Sequence, residues 1–250
     1  MRKFATLIAA MLAMQSVAAE PVKTVQLASL EWMPFAGATL PGDGLSGAVI
    51  AEVEKRLGNT VKVHYFEWKD AIAKVEADAG FAGYFPVYYT AERAEVKCYL
   101  SQSIGKSETG IGYLKESPVQ WNKTTDLAAY KIGVVEGYSN SAEFDAAVKQ
   151  GKQSVELANS DTNNVRKLVA KKIPGIVIDK LVLRFLTMKT AAKESVMFSD
   201  HLLTGNTLHV CFRRSPAGKA LQEAFDAELK KVDVNKLEAE YLKRLEASVK

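Results

Sequence analysis

Between residues 22 and 89 the chain changes its hydrophobic period repeatedly, and that alternation limits the fold more than any single residue. Residues 22–29 and 61–66 read as strands, the second with clear alternation, and the aromatic-rich stretch 80–89 reads as a third. Between them, Ala48, Val49, Val53 and Leu57 make one helical stripe that Gly58 ends, and Trp68, Ala71, Ile72 and Val75 make another. Residues 30–37 form a turn carrying Trp32 and Phe35, and residues 41–47 a glycine-rich loop. Strand, helix, strand, helix, strand is satisfied by a parallel sheet with helices on its faces. Such sheets bind small molecules beyond the carboxyl ends of their strands. Trp32, Trp68 and Arg93 each follow a predicted strand, so all three are expected at the same edge.

A second α/β unit starts near residue 105. Residues 109–115 read as a short strand and 117–126 as a polar loop. Residues 130–137 (YKIGVVEG) form a strand ending on glycine, 141–150 a helix and 155–157 a short strand. Asp161 or Thr162 caps a helix reaching about Lys172, with Val165, Leu168 and Val169 facing inward. Residues 175–178 are a strand, and Asp179 stands where it gives way to the next helix. In the tail, 207–212 is a strand, and Ser215-Pro216 opens a helix with a capping hydroxyl and a proline at the first position. The amphipathic runs 217–232 and 234–245 are expected to cover the first unit.

Arg2 and Lys3, the apolar run 4–14 and the small residues Val17-Ala18-Ala19 form a secretory leader over residues 1–19, cleaved after Ala19. Its apolar run is too short to span a bilayer. The expected compartment is the periplasm of a Gram-negative source. The composition is that of an ordinary globular protein, 48% hydrophobic and 25% charged over the whole 250 residues. Setting aside Arg2 and Lys3 takes the 33 basic residues to 31 against 29 acidic ones, a net charge near +2. Basic residues are scattered, so no nucleic-acid partner is expected. Cys98 and Cys211 either form a bridge, worth roughly 4–5 kcal/mol for so long a loop, or are two buried thiols. Neither belongs to a CxxC pair, so no metal or redox role is expected.

Nucleophile, zinc and phosphate-loop motifs are absent, and His64, His201 and His209 sit near no nucleophile motif. No catalytic residue, metal or cofactor is expected. Arg93 is different. It lies just past a strand in the run FPVYYTAERAEVKCYLSQS, where its planar fork can be aimed into a cleft to take a carboxylate through two parallel hydrogen bonds.

Six motifs in order carry a resemblance: Trp32-Met-Pro-Phe35, Glu67-Trp68, Tyr89-Thr-Ala-Glu-Arg93, Asp126-Leu127, Lys131-Ile-Gly-Val-Val-Glu-Gly137 and Ile176-Val-Ile-Asp179. Together with the leader, the chain resembles the bacterial extracellular solute-binding proteins of family 3, the periplasmic amino-acid receptors of ABC importers. That resemblance implies a two-lobed α/β fold, the type II periplasmic-binding-protein fold, each lobe a mostly parallel sheet flanked by helices. Two hinge strands would join lobe one (20–106 and 206–250) to lobe two (107–205). It further implies that Arg93 grips a ligand α-carboxylate, Asp179 takes the α-ammonium, Ser139 caps the carboxylate from lobe two, Trp32 and Trp68 sandwich the ligand side chain, and Tyr138 is a further ligand-binding residue. Two stretches depart from the family pattern. Ala48-Val49 replaces an aromatic and an acid, and Tyr84-Phe85-Pro86 stands where small residues often bind the ligand amine.

The function implied is capture of a small polar ligand, an amino acid, between closing lobes for delivery to an ABC permease, by a cofactor-free monomer. Two alternatives stay open: a periplasmic dehydratase or lyase of the same fold, with Glu136, Glu31 or Asp179 as its acid, and a sensory or docking module.

Overall fold

A computed structural model describes residues 23–78, 80–188 and 190–247. The expected leader at 1–19 lies outside the described residues. The first half alternates as its hydrophobic pattern requires: β1 (Thr24–Ser29), α1 (Leu45–Arg56), β2 (Thr60–Tyr65), α2 (Trp68–Ala77) and β3 (Gly83–Tyr88). β1 pairs in parallel with β2 from Thr24↔Thr60 to Ser29↔Tyr65, and with β3 at Leu27↔Gly83 and Ala28↔Tyr84. β4 (Cys98–Leu100) follows a single π-helical turn, Arg93–Lys97, where the sequence suggested a plain turn.

The second half holds β5 (Gly105–Leu114), β6 (Ile132–Val135), α3 (Ala142–Lys149), β7 (Val155–Ala158), α4 (Asp161–Val169), β8 (Gly175–Asp179) and α5 (Lys180–Thr187). β6 pairs in parallel with β7 and β8. The long β9 (Val196–Arg213) returns to the first half, and α6 (Pro216–Leu229) and α7 (Val234–Ala247) come after it. The strand order is β2-β1-β3-β9-β5-β8-β6-β7, with β4 on β9. Each half is thus a parallel trio, and the antiparallel pair β5/β9 runs between them.

Both crossing strands exceed their sequence signal. β9 has 18 residues against the six expected, because residues 200–206 show no apolar alternation and are held as strand by the ladder to β5. In α1 the buried face is Leu45, Val49, Ile50 and Val53, rotated by about one position from the expected stripe. The segment 117–126 is less polar in effect than its composition, since Val119 and Trp121 are buried in the second half's core with Ile111, Leu127 and Phe144. The first half's core is built on Leu27, Ile50, Phe85, Phe212 and Phe225. No helix among the described residues is long and apolar enough to cross a membrane.

Cys98 and Cys211 form a disulfide with a Cα–Cα distance of 5.5 Å, which settles the alternative left by the sequence. Cys211 lies on β9 opposite Tyr84 of β3 and Leu100 of β4, so the bridge pins both strands that flank the Arg93 turn. Close packing here also explains Gly83. A Cβ at that position would lie 2.4 Å from the Cys211 carbonyl oxygen, which the β3–β9 ladder holds in place. Gly83→Ala should therefore cost about 1–3 kcal/mol as overpacking. Urea denaturation checks this, and an unchanged midpoint would contradict it.

Candidate ligand-binding site

Arg93 is positioned by the chain leaving β3. Pro86 has no N–H to give a ladder, and the β3–β9 register shifts between Tyr84 and Val87. The strand resumes through Tyr88 and turns at Thr90, whose hydroxyl accepts from the Arg93 N–H at 3.1 Å. The guanidinium folds back inward, and its Nη1 donates to the Tyr88 carbonyl at 3.0 Å. Burial pulls the guanidinium's proton affinity down, with nearby Tyr84 and Glu92 opposing that. Among the described residues it makes no ion pair with a carboxylate. A half-buried cation whose fork is mostly unused faces a cavity.

That cavity lies between the two halves. Arg93, Trp32, Trp68 and Tyr88 line it from the first half, and Tyr138 and Ser139 from the second. Trp32 is fixed by paired backbone hydrogen bonds with Ala36 (2.9 and 3.0 Å) and by stacking on Phe35 at 4.5 Å. Its ring meets Tyr88 edge-on at 5.9 Å and Tyr138, across the gap, at 6.5 Å. Trp68 opens α2 and packs edge-on against Tyr84 at 5.6 Å. Opposite it is Gly137, whose φ of +80° suits glycine. Lys69 and Glu136 also meet across the gap at 3.5 Å, an exposed pair of little energetic weight. The cavity enclosed is only about 30 Å³, room for a water molecule or two. Small-molecule pockets run to roughly 300–1,000 Å³. The halves must part before a ligand enters.

Asp179 is placed elsewhere. It ends β8 and caps α5: Oδ1 accepts from the Leu181 and Val182 N–H groups at 2.7 and 3.0 Å. Oδ2 accepts from the Ser107 hydroxyl at 2.7 Å and the Glu108 N–H at 2.9 Å. It is buried, does not line the cavity, and is separated from Arg93 by Tyr88. Five of the six expected ligand residues therefore line one cavity, and Asp179 lies outside its lining as a fully hydrogen-bonded helix cap.

A second acid was not singled out by the sequence. Ser160, and neither Asp161 nor Thr162, caps α4 through a bond from the Asn163 N–H at 3.3 Å. This makes Asp161 the first helical residue and turns it inward to the groups of Trp32 and Tyr138, with Oδ2 unpartnered. Burial, and then the charge of Asp179, push its carboxyl up to about 7. In the unfolded chain the same group titrates near 3.8. Between those values the folded protein holds a proton that the unfolded chain has released, so stability falls as pH rises and levels off above the folded value. A shift of this size corresponds to about 4 kcal/mol. Asp161→Asn keeps an oxygen toward the indole and phenol, so it should flatten the decline in denaturation midpoint from about pH 4 to pH 7 and stabilise the protein at pH 8. Superimposable profiles for variant and wild type would contradict this.

The arrangement of two parallel trios around a crossing antiparallel pair has counterparts among solved structures. A histidine kinase sensor domain with similarity to periplasmic binding proteins superimposes with a TM-score of 0.76 at 14% identity, covering 88% of this chain and 96% of that one. The Gly52Ala mutant of arginine-bound ArgBP from T. maritima gives 0.71 at 16%, covering 83% and 95%. The chain has the type II periplasmic-binding-protein fold. An ancestral amino-acid-binding protein, AncCDT-1, described as a precursor of cyclohexadienyl dehydratase, shares this periplasmic-binding-protein fold with a TM-score of 0.70 at 17%, covering 88% and 94%. No family model matches the chain, and no curated protein does. In this periplasmic-binding-protein fold β5 and β9 are the hinge strands, and the Arg93 cavity occupies the cleft between the lobes.

Proposed function

We propose that the protein is an exported solute-binding protein that closes two lobes, 20–106 with 206–250 and 107–205, on a small molecule of amino-acid size held by its carboxylate. The observation that carries this reading is Arg93: a guanidinium with no carboxylate partner among the described residues, facing a cavity walled by Trp32, Trp68 and Tyr138. The fork supplies charge and geometry for one carboxylate, and the indoles supply apolar or cation–π faces for the body of the ligand. Ser139, just ahead of the Ser141 cap of α3, completes the shell from lobe two. Closure then occurs only if the ligand interacts better with the closed arrangement. We assign delivery to an ABC permease as the role, with the protein acting as a periplasmic monomer and the 1–19 leader directing export. The expected amino acid needs a seat for its ammonium; Asp179, given that role by the resemblance, caps α5 and is linked to Tyr88 through Ser107.

The sensory reading has one observation in its favour, a cleft cavity of only about 30 Å³. The dehydratase reading lacks such support: Glu136 is exposed and paired with Lys69, and Glu31 accepts from the Ala38 N–H. A thermal-shift screen over the amino acids and small organic acids separates them. A cognate carboxylate at a hundred times its dissociation constant should add about 2.7 kcal/mol of stability. A screen in which no carboxylate stabilises the protein would favour the sensory reading.

A further inference from the structure

We infer that Tyr88 supplies from within the protein the hydrogen-bond donor that an α-ammonium would bring, so that the cleft selects small carboxylates lacking one. This rests on Arg93 as the carboxylate anchor. Tyr88 spans the space between the two charged groups. Its carbonyl accepts from Arg93 Nη1 at 3.0 Å, while its hydroxyl lies 2.8 Å from Ser107 Oγ and 3.3 Å from Thr109 Oγ1. Ser107 uses its single proton on Asp179 Oδ2 at 2.7 Å, so toward Tyr88 it can only accept. The phenol is therefore the donor in that bond. It occupies the place of a ligand N–H: it gives its one proton to Ser107, takes that of Thr109, and has a buried carboxylate one hydrogen bond further on.

An ammonium entering beside Arg93 needs acceptors for three N–H groups. It would find Ser107, Thr109 and both buried acids, Asp161 behind Trp32 and Tyr138 and Asp179 bonded to four protein donors, outside the cavity lining. The phenol oxygen can accept one of those N–H groups, and leaving the others of a desolvated cation unpaired is costly. The ring has little freedom to withdraw, since the Trp32 edge packs on it and the space beside it is about 30 Å³. Burial pushes the phenol's pKa far above its ordinary value, so it remains a donor at any physiological pH.

Calorimetric titration of the full chain with matched pairs tests this: L-phenylalanine against 3-phenylpropanoate, L-leucine against 4-methylpentanoate, and L-glutamate against glutarate. In at least one pair the acid without the amine should bind wild type about 30-fold more tightly. Tyr88→Ser, which frees the Ser107 and Thr109 hydroxyls, should shift that ratio toward the amino acid by about 10-fold or more. The wild-type ratio decides the matter even if Tyr88→Ser does not fold. Wild type binding the amino acids as tightly as their partners, or a ratio unchanged in Tyr88→Ser, would overturn the role of Tyr88 while leaving that of Arg93. No binding by any member of the panel, in either protein, would overturn both.

Discussion

Arg93→Ala is expected to lower the affinity for the best carboxylate of a ligand screen by at least ~100-fold, effectively abolishing detectable binding. Truncating one side of a desolvated, hydrogen-bonded charge pair typically costs about 2–5 kcal/mol. Here the other side would be a carboxylate enclosed between Trp32 and Trp68, with only the uncharged hydroxyls of Ser139, Tyr138 and Tyr88 left along the cavity. Arg93→Lys keeps the charge but replaces a planar fork with a single flexible ammonium, so affinity should still fall about 10- to 100-fold. Fold loss is a poor alternative explanation, because the guanidinium's hydrogen bond within the protein goes to a backbone carbonyl, that of Tyr88, on its own side of the cleft. Calorimetry, with a melting curve as control, reads both variants. Either one binding as tightly as wild type would remove Arg93 from the site.

The second large effect concerns the bridge beside that arginine. Cys98 and Cys211 lie 113 residues apart, and reduction or the Cys98→Ala/Cys211→Ala double variant should destabilise the protein by about 2–5 kcal/mol, near the upper end for so long a loop. The loss should reach the site as well. Cys98 follows the π-helical turn that starts at Arg93, and Cys211 ties β9 to both β3 and β4 around it. Denaturant titration with and without reductant measures the first effect, and carboxylate affinity under the same conditions the second. Equal denaturation midpoints would show that the bridge stabilises nothing.

The strand–helix alternation was legible because each element carries its own period: Val61 to Tyr65 in β2, and Ala71 and Val75 on the buried face of α2. Placement of Trp32, Trp68 and Arg93 at one edge followed from strand direction alone. The hinge strands were not legible in full, since the middle of β9 is polar and becomes a strand only by pairing with β5, more than 80 residues away in sequence. Two residues of the site region were missed for related reasons. Asp161 looks like an ordinary helix cap until Ser160 takes that position and rotates the carboxyl inward. Tyr88 reads as one more aromatic of a β-strand, and its importance appears only when Ser107 and Asp179 are brought opposite it. The bulky run Tyr84-Phe85-Pro86, where small residues were expected, was the available signal that this strand end differs.

Asp179 teaches the complementary lesson. A strand-ending acid before a helix suits both a ligand amine and a helix cap, and sequence cannot weigh them. The four donors around its two oxygens show the cap, and the ligand-amine role rests on the resemblance alone.

The most direct measurement is a crystal structure of the protein grown with the tightest-binding carboxylate of the screen. The expected result is that carboxylate on the Arg93 guanidinium through two parallel hydrogen bonds, its body between Trp32 and Trp68, in a cleft enlarged well beyond the closed cavity. A ligand bound elsewhere, or one in this cleft with its carboxylate turned away from Arg93, would contradict the role given to Arg93.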